Sequence, residues 1–169
     1  MALLNTGMIS QNLERAFEVP AITSYLHSAT PKKLGRGRRQ MPKWKLVTEF
    51  NFDSAHFIKD YDGPCGRMHG YTYKVRVEAT SLKLHASEYC PHPVMVADFR
   101  SLRWAKQDMT KGGLDHSVLN EVLPEGYETT AEMIAQYIYD ETKKRVPDDV
   151  RLKVVVSETP NSWVEYEGD

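Results

Sequence analysis

The chain has few cysteines, no long apolar run and almost no net charge. Its 169 residues include only Cys65 and Cys90, too few for a disulfide scaffold, so we expect both thiols to be reduced. No stretch of roughly 18 apolar residues is present, and the N-terminus lacks a basic segment followed by an apolar core. The sequence therefore predicts no membrane span, no secretory signal and a cytoplasmic location. A formal net charge of −1 gives no indication of a nucleic-acid or membrane partner.

The length is sufficient for one domain with a core, and the sequence divides into an extension, residues 1–45, and a domain, residues 46–169. The extension has a weakly helical stretch from Ile9 to Phe17 and a basic run from Lys32 to Lys45 interrupted by glycines. It is either an arm for an anionic partner or a flexible tail with solvated charges. We favour the tail, because the basic run is short and has no interleaved aromatic residues.

Alternating apolar and polar residues predict two strands after Leu46. The inward positions of the first are Phe50, Phe52, Ser54 and His56, and those of the second are His69, Tyr71, Tyr73, Val75 and Val77. Such regular alternation is typical of an antiparallel sheet with one solvated face.

The second half of the domain predicts helices followed by strands. The helices are expected from Ser101 to about Thr110, from Ser117 to Val122, and after a capping box formed by Thr129 and Glu132. Two strands, Leu152–Glu158 and Trp163–Tyr166, end the chain. The order β-β-α-α-β-β indicates the α+β class, with a four-stranded antiparallel sheet and two main helices on one face.

Three side chains are expected to meet at one end of this sheet. His56 ends the first strand, while His69 and Tyr71 begin the second, so antiparallel pairing would bring them together. A cluster of this kind can hold a metal with a position open for substrate. Two histidines are few for a metal site, and ordinary strand-end residues are the other interpretation.

Cys65, Asp115, His116 and Glu158 are further candidates for chemistry. The Cys65 thiolate would be favoured beside Arg67 and a nearby metal, as a proton-transferring base requires. Asp115 could orient His116, although sequence neighbours rarely bond each other well. Glu158 continues an inward-facing apolar row, where a carboxylate is costly unless it is paired or binds a ligand. A pterin or guanine edge, with its adjacent N–H donors, would suit it; a glutamate turned to solvent is the alternative.

Five segments resemble, in order, the motifs of the 6-pyruvoyltetrahydropterin synthase and 6-carboxytetrahydropterin synthase family. They extend from about Leu46 to Tyr166 and are Phe52–His56, Cys65–Gly70, Leu114–Asn120, Thr129–Glu132 and Val154–Thr159. The short gap from Cys65 to His69 is most similar to the 6-carboxytetrahydropterin synthase branch, which serves 7-deazaguanine (queuosine-type) synthesis.

The resemblance implies a tunnelling fold, in which the four-stranded sheets of several subunits join around a ring, and a homohexamer with active sites at subunit interfaces. It implies a lyase that converts 7,8-dihydroneopterin triphosphate to 6-carboxy-5,6,7,8-tetrahydropterin, releasing acetaldehyde and triphosphate. The alternatives are 6-pyruvoyltetrahydropterin synthase activity and a non-catalytic, metal-poor pterin-binding protein.

The resemblance also implies a role for each matching residue. Cys65 is expected to be the general base, and Asp115 with His116 an acid/base dyad that reaches it from a neighbouring subunit. Glu158, with Thr159 nearby, is expected to anchor the pterin ring. The metal-site positions are His56, His69 and Tyr71, and the expected metal is zinc.

Tyr71 departs from the family pattern, which has a third histidine there. Three interpretations are open: Tyr71 replaces the imidazole as a ligand, the site binds metal weakly through two histidines and water, or the metal is lost. His85, Cys90 and His92 follow the second strand at the end far from His69, so they are expected to lie too far away to replace the third zinc ligand. The presence of the four other expected functional residues favours retained catalysis: Cys65, Asp115, His116 and Glu158.

Overall fold

A computed structural model describes residues 44–168 of the chain. The predicted extension, apart from Trp44 and Lys45, and its expected helical and basic segments therefore lie outside the described residues.

The described residues form a five-stranded sheet, a separate hairpin and three helices. The sheet order is β5-β1-β2-β6-β7, and the strands are antiparallel except for β5, which pairs in parallel with β1. The strands are β1 (Trp44–His56), β2 (His69–Ser81), β3 (His85–Ser87), β4 (Cys90–Met95), β5 (Ser117–Val118), β6 (Arg151–Thr159) and β7 (Ser162–Tyr166). The helices are α1 (Phe99–Leu102), α2 (Leu119–Val122) and α3 (Ala131–Lys143). The α+β class with four main antiparallel strands is confirmed; the two-residue β5 was not predicted.

The pleat of β1 and β2 separates a buried face from a solvated one. In β1 every second residue from Thr48 to His56 is buried, while Glu49, Asn51 and Asp53 are exposed. In β2 the same alternation buries Tyr73, Val75 and Val77. This burial fixes the register, because a one-residue slip would turn every apolar side chain to water.

Helix α3 covers the buried face at β6 and β7. Its inward side chains are Ile134, Ala135, Ile138 and Thr142, at the spacing expected of one helix face. The expected capping residue, Thr129, was wrong by one position. Thr130 is the N-cap and accepts the Met133 N–H, because the side chain of Thr129 is bonded instead to the end of β1.

The helix expected from Ser101 to about Thr110 was also wrong. The segment contains only α1, followed by two 3-10 turns, at Trp104–Lys106 and Met109–Lys111. Helical geometry stops at Arg103, and the chain then turns so that Trp104 and Ala105 are buried in the core. The Trp104 indole N–H donates to Thr142 of α3, so tertiary packing overrides local helical spacing here.

The hairpin β3–β4 contains His85, Cys90 and His92 and follows the end of β2 that is opposite to His69. Its strand β4 includes Pro91 and Pro93, which is tolerated because this small sheet has only edge strands. None of the helices in residues 44–168 is long and apolar enough to cross a membrane.

Candidate active site

His56 and His69 face each other at one end of the β1–β2 pair. They are directly opposite in the strand register, and their ring centroids lie 4.4 Å apart. Tyr71 is opposite Ser54 on the same face, with its ring 5.8 Å from that of His56 and 5.4 Å from that of His69. We call the two imidazoles of His56 and His69, together with the adjacent Tyr71 phenol, the imidazole cluster.

Backbone carbonyls fix the orientation of both imidazoles. Nδ1 of His56 lies 2.7 Å from the Thr129 carbonyl, and Nδ1 of His69 lies 2.7 Å from the Arg67 carbonyl. A carbonyl can only accept, so each Nδ1 carries a hydrogen, and Nε2 is the nitrogen that each ring can offer as an acceptor. Burial lowers the pKa of His56, which favours its neutral form. Nε2 of His56 is buried and has no partner among the described residues.

Tyr73 extends this group of rings into the core. Its ring stacks on Phe52 at 4.9 Å and lies 5.9 Å from both His56 and Tyr71. Its hydroxyl group is buried without a partner in residues 44–168. Burial, followed by the charge of Glu158, raises the pKa of Tyr73, so the phenol is neutral.

Asn120 and Thr129 hold the strand end that carries His56, and sequence reasoning missed both roles. The Asn120 side chain accepts the Phe57 N–H at 3.0 Å and donates to the Phe57 carbonyl at 2.8 Å. The Thr129 hydroxyl donates to the same carbonyl at 2.6 Å. These contacts join residues 63 and 72 positions apart, so no local pattern predicts them. The sequence marks Asn120 and Thr129 only as members of two of the family-like motifs.

Cys65 lies in a 3-10 turn, Pro64–Gly66, between β1 and β2 and is half-buried. Its carbonyl accepts the Ile58 N–H at 2.8 Å, which closes the loop. Gly66 is required here, because a Cβ would lie 2.3 Å from the Tyr61 carbonyl oxygen. Burial, and after it the nearby Glu158 and Cys65, raise the pKa of Tyr71.

Glu158 lies near the end of β6, on the strand face that also carries Leu152, Val154 and Val156. Burial raises its pKa, the nearby His69 imidazole opposes this rise, and Glu132 adds to it. Glu158 and Thr159 also line a cavity of about 570 Å³ on the solvated face of the sheet, together with Lys74 and Trp163. Glu158 is therefore a half-buried carboxylate at the end of the strand, and this cavity contains no residue of the imidazole cluster.

Asp115 and His116 place their side chains close together at the sheet edge. Oδ2 of Asp115 lies 3.0 Å from Nδ1 of His116, and Oδ1 accepts the Asp53 N–H at 2.8 Å. The His116 N–H donates to the Asp53 carbonyl at 2.7 Å and holds His116 at a left-handed φ of 56°, which is strained for a residue other than glycine. This backbone turn brings the two side chains within 3.0 Å of each other although they are neighbours in the sequence.

Two buried serines hold the strand segment next to this dyad. The Ser54 hydroxyl donates to the Leu114 carbonyl at 2.5 Å, the Ser117 hydroxyl donates to it at 2.6 Å, and the two hydroxyl oxygens are 3.3 Å apart. Because Ser54 and Ser117 are paired residues of β1 and β5, this contact fixes the dyad against β1.

The predicted site residues form two groups on different faces of the sheet. The two imidazoles lie on the buried face, whereas His116 lines a shallow hollow with Asp53, Thr72 and Tyr71. The potential metal-ligand atoms of Asp53, Asp115 and His116 lie within 4.8 Å of one another. Two of these three residues are exposed, and exposed acidic groups often cluster without binding a metal. A second cavity, of about 610 Å³ and lined by Tyr89, Arg100 and Trp104 among others, contains none of the predicted site residues.

Comparison with known proteins identifies the class of this fold and then the family. A model of the 6-pyruvoyl tetrahydropterin synthase family matches residues 45–169. The structure of Caenorhabditis elegans 6-pyruvoyl tetrahydropterin synthase is similar with a TM-score of 0.57 and 20% identity, covering 76% of this chain and 98% of that one. This likeness is one of fold, and it supports the α+β tunnelling architecture.

Curated relatives extend the comparison to function. The 6-carboxy-5,6,7,8-tetrahydropterin synthase of Haemophilus influenzae is 30% identical over 146 residues, 73% of this chain and 99% of its own length. The 6-carboxy-5,6,7,8-tetrahydropterin synthase of Synechocystis is 37% identical over 99 residues, which cover 57% of this chain and 72% of that protein. Human 6-pyruvoyl tetrahydrobiopterin synthase is 29% identical over 147 residues, 80% and 97%.

The chain belongs to the 6-pyruvoyl tetrahydropterin synthase family. It is an enzyme of this family, a lyase of the pterin-synthase type.

Proposed function

We propose that the chain converts 7,8-dihydroneopterin triphosphate and one water to 6-carboxy-5,6,7,8-tetrahydropterin, acetaldehyde and triphosphate, as a step towards 7-deazaguanine compounds. The observation that carries the proposal is the imidazole cluster, with two fixed Nε2 atoms beside the Cys65 loop and Glu158. The 6-carboxytetrahydropterin synthases among the relatives, and the short gap from Cys65 to His69, support this product over 6-pyruvoyltetrahydropterin.

The imidazole cluster fits a zinc ion. Neutral imidazole nitrogens are common zinc ligands, and the second nitrogen of such a ring usually donates to a carbonyl, as it does in His56 and His69. The unpartnered, buried Nε2 of His56 also requires a partner. Tyr71 lies at the third position, but its raised pKa keeps the phenol neutral and a weak donor, so water would supply the remaining ligands. Zinc would supply Lewis acidity that makes a C–H bond next to a substrate oxygen more acidic.

The other residues bind the substrate and move protons. Glu158 accepts the adjacent N–H groups of the pterin edge and sets the position of the side-chain carbons. The Cys65 sulfur removes a proton from one of those carbons as general base. His116, whose Nδ1 lies 3.0 Å from Asp115, has an exposed side chain and exchanges protons on the opposite side of the reacting carbons.

The two faces of the sheet support a site that is shared between copies of the chain. Within one copy, His116 and the two imidazoles lie on different faces, and in the proposal a neighbouring copy supplies the dyad for each Cys65. The proposed assembly is a homo-oligomer, a hexamer by analogy with the family. Mixing inactive Cys65→Ala with inactive His116→Ala protein should restore activity, up to roughly one quarter of the wild-type value if subunits mix at random. No restoration after verified subunit exchange contradicts a shared site.

The activity itself is tested with purified, zinc-supplied protein and 7,8-dihydroneopterin triphosphate. Acetaldehyde should be released in equal amount to a product with the mass of 6-carboxytetrahydropterin. Cys65→Ala should remove this turnover, whereas Cys90→Ala, the matched change on β4, should retain it. A product with the mass of 6-pyruvoyltetrahydropterin would support the alternative activity. Pterin binding without turnover, whichever divalent metal is added, would support the non-catalytic one.

A further inference from the structure

Tyr73 is fully buried in β2, and its hydroxyl group has no hydrogen-bond partner in residues 44–168. A tyrosine hydroxyl can donate one hydrogen bond and accept others, so burying it without a partner is unfavourable. Phenylalanine would fill the same space without this cost. Core packing therefore does not explain why residue 73 has a hydroxyl group.

The surroundings of Tyr73 indicate what the reason is. Across the described residues, the buried side-chain nitrogen and oxygen atoms without a partner are His56 Nε2 and the Tyr73 hydroxyl. These two residues are neighbours, with ring centroids 5.9 Å apart in an edge-on arrangement. Unsatisfied buried polar groups are rare in proteins and concentrate at functional sites. Two such groups on neighbouring rings therefore indicate a shared binding site.

The two atoms differ in what they can bind. An unprotonated imidazole nitrogen accepts a metal, whereas a neutral phenol exchanges hydrogen bonds with oxygen and nitrogen atoms. Glu158, the expected ring anchor, is close enough for its charge to act on Tyr73 as well as on Tyr71. The geometric link of Tyr73 is to the metal position, through the edge-on contact of its ring with that of His56.

We propose that the Tyr73 hydroxyl is a substrate-binding group that hydrogen-bonds a polar atom of the bound pterin beside the imidazole cluster. This proposal rests on the proposed function, since it takes the ligand to be a pterin. The ligand supplies the partner that the ligand-free protein lacks.

The test compares Tyr73→Phe with wild type in two measurements. The first is the thermal unfolding midpoint of zinc-free, ligand-free protein, which should rise by about 2–6 °C because an unpaired buried group is removed. The second is the affinity for neopterin, followed by its fluorescence, which should fall about tenfold because one hydrogen bond is lost. Zinc content should not change, because the hydroxyl is not among the proposed ligands.

Tyr127→Phe is the matched control, since it makes the same chemical change at a satisfied hydroxyl. Tyr127 donates to Asp140 at 2.7 Å, so its loss should lower the midpoint and leave neopterin affinity unchanged. Three outcomes for Tyr73→Phe overturn the proposal: a lower midpoint, an unchanged affinity for neopterin, or a loss of zinc. Failure of the wild-type protein to bind neopterin would instead refute the proposed function.

Discussion

Asn120→Ala tests how the strand end that carries His56 is held. The variant removes both hydrogen bonds between the Asn120 side chain and the backbone of Phe57, at 3.0 and 2.8 Å. Each such bond contributes about 1 kcal/mol, and partly buried backbone groups left unpaired add to the loss, so the free energy of unfolding should fall by about 2–3 kcal/mol. The Thr129 hydroxyl still binds the Phe57 carbonyl, which keeps the loss at this level.

The assay is urea unfolding of the zinc-free protein, followed by titration of the folded protein with zinc. We expect a lower urea midpoint at an unchanged slope, and a zinc affinity about 10- to 100-fold weaker, because residues that orient a metal ligand have effects of this size. Asn120→Asp retains the bond from the Phe57 N–H and should lose about half as much stability. Asn51→Ala, an exposed asparagine of the same strand, should change stability by less than about 0.5 kcal/mol. Equal midpoints for Asn120→Ala and Asn51→Ala would refute this account of the strand end.

Two further predictions concern stability outside the imidazole cluster. Because Ser54 and Ser117 both donate to the Leu114 carbonyl, either alanine variant leaves it one partner, and the double variant should cost about 1 kcal/mol more than the sum of the single ones. Additive losses in urea unfolding would contradict this shared contact. The bond to the Asp140 carboxylate, with burial, raises the pKa of Tyr127 to about 12, above its unfolded value of about 10. Its stabilisation should therefore be complete below pH 10 and disappear towards pH 12, so that wild type and Tyr127→Phe converge in unfolding free energy over that range; a constant difference would exclude it.

Local patterns in the sequence predicted the parts of the fold that depend on side-chain alternation. The period of two in β1 and β2 predicted that His56, His69 and Tyr71 share a face, and antiparallel pairing then brought the rings within 6 Å of one another. The expected helix from Ser101 failed because burial of Trp104, in contact with a helix 38 residues later, outweighs local helical preference.

The hydrogen bonds that hold the site residues in place join residues far apart in the sequence, so they could not be predicted. Thr129 matched a capping pattern, but its carbonyl and hydroxyl bind the end of β1, and Thr130 caps α3 instead. The left-handed turn at His116 exists because the backbone of Asp53 holds it, and no residue near His116 in the sequence requires that conformation. The roles assigned to Cys65, Glu158 and the dyad stay predictions.

X-ray absorption at the zinc edge of the purified, zinc-loaded protein tests the central claim that the imidazole cluster is the metal centre. The account predicts a first shell of two imidazole nitrogens at about 2.0–2.1 Å with oxygen ligands and no sulfur, and loss of the imidazole signal in His56→Ala. A zinc–sulfur distance of about 2.3 Å would make Cys65 a ligand rather than a base. That result, or an imidazole signal that His56→Ala leaves unchanged, would contradict the account.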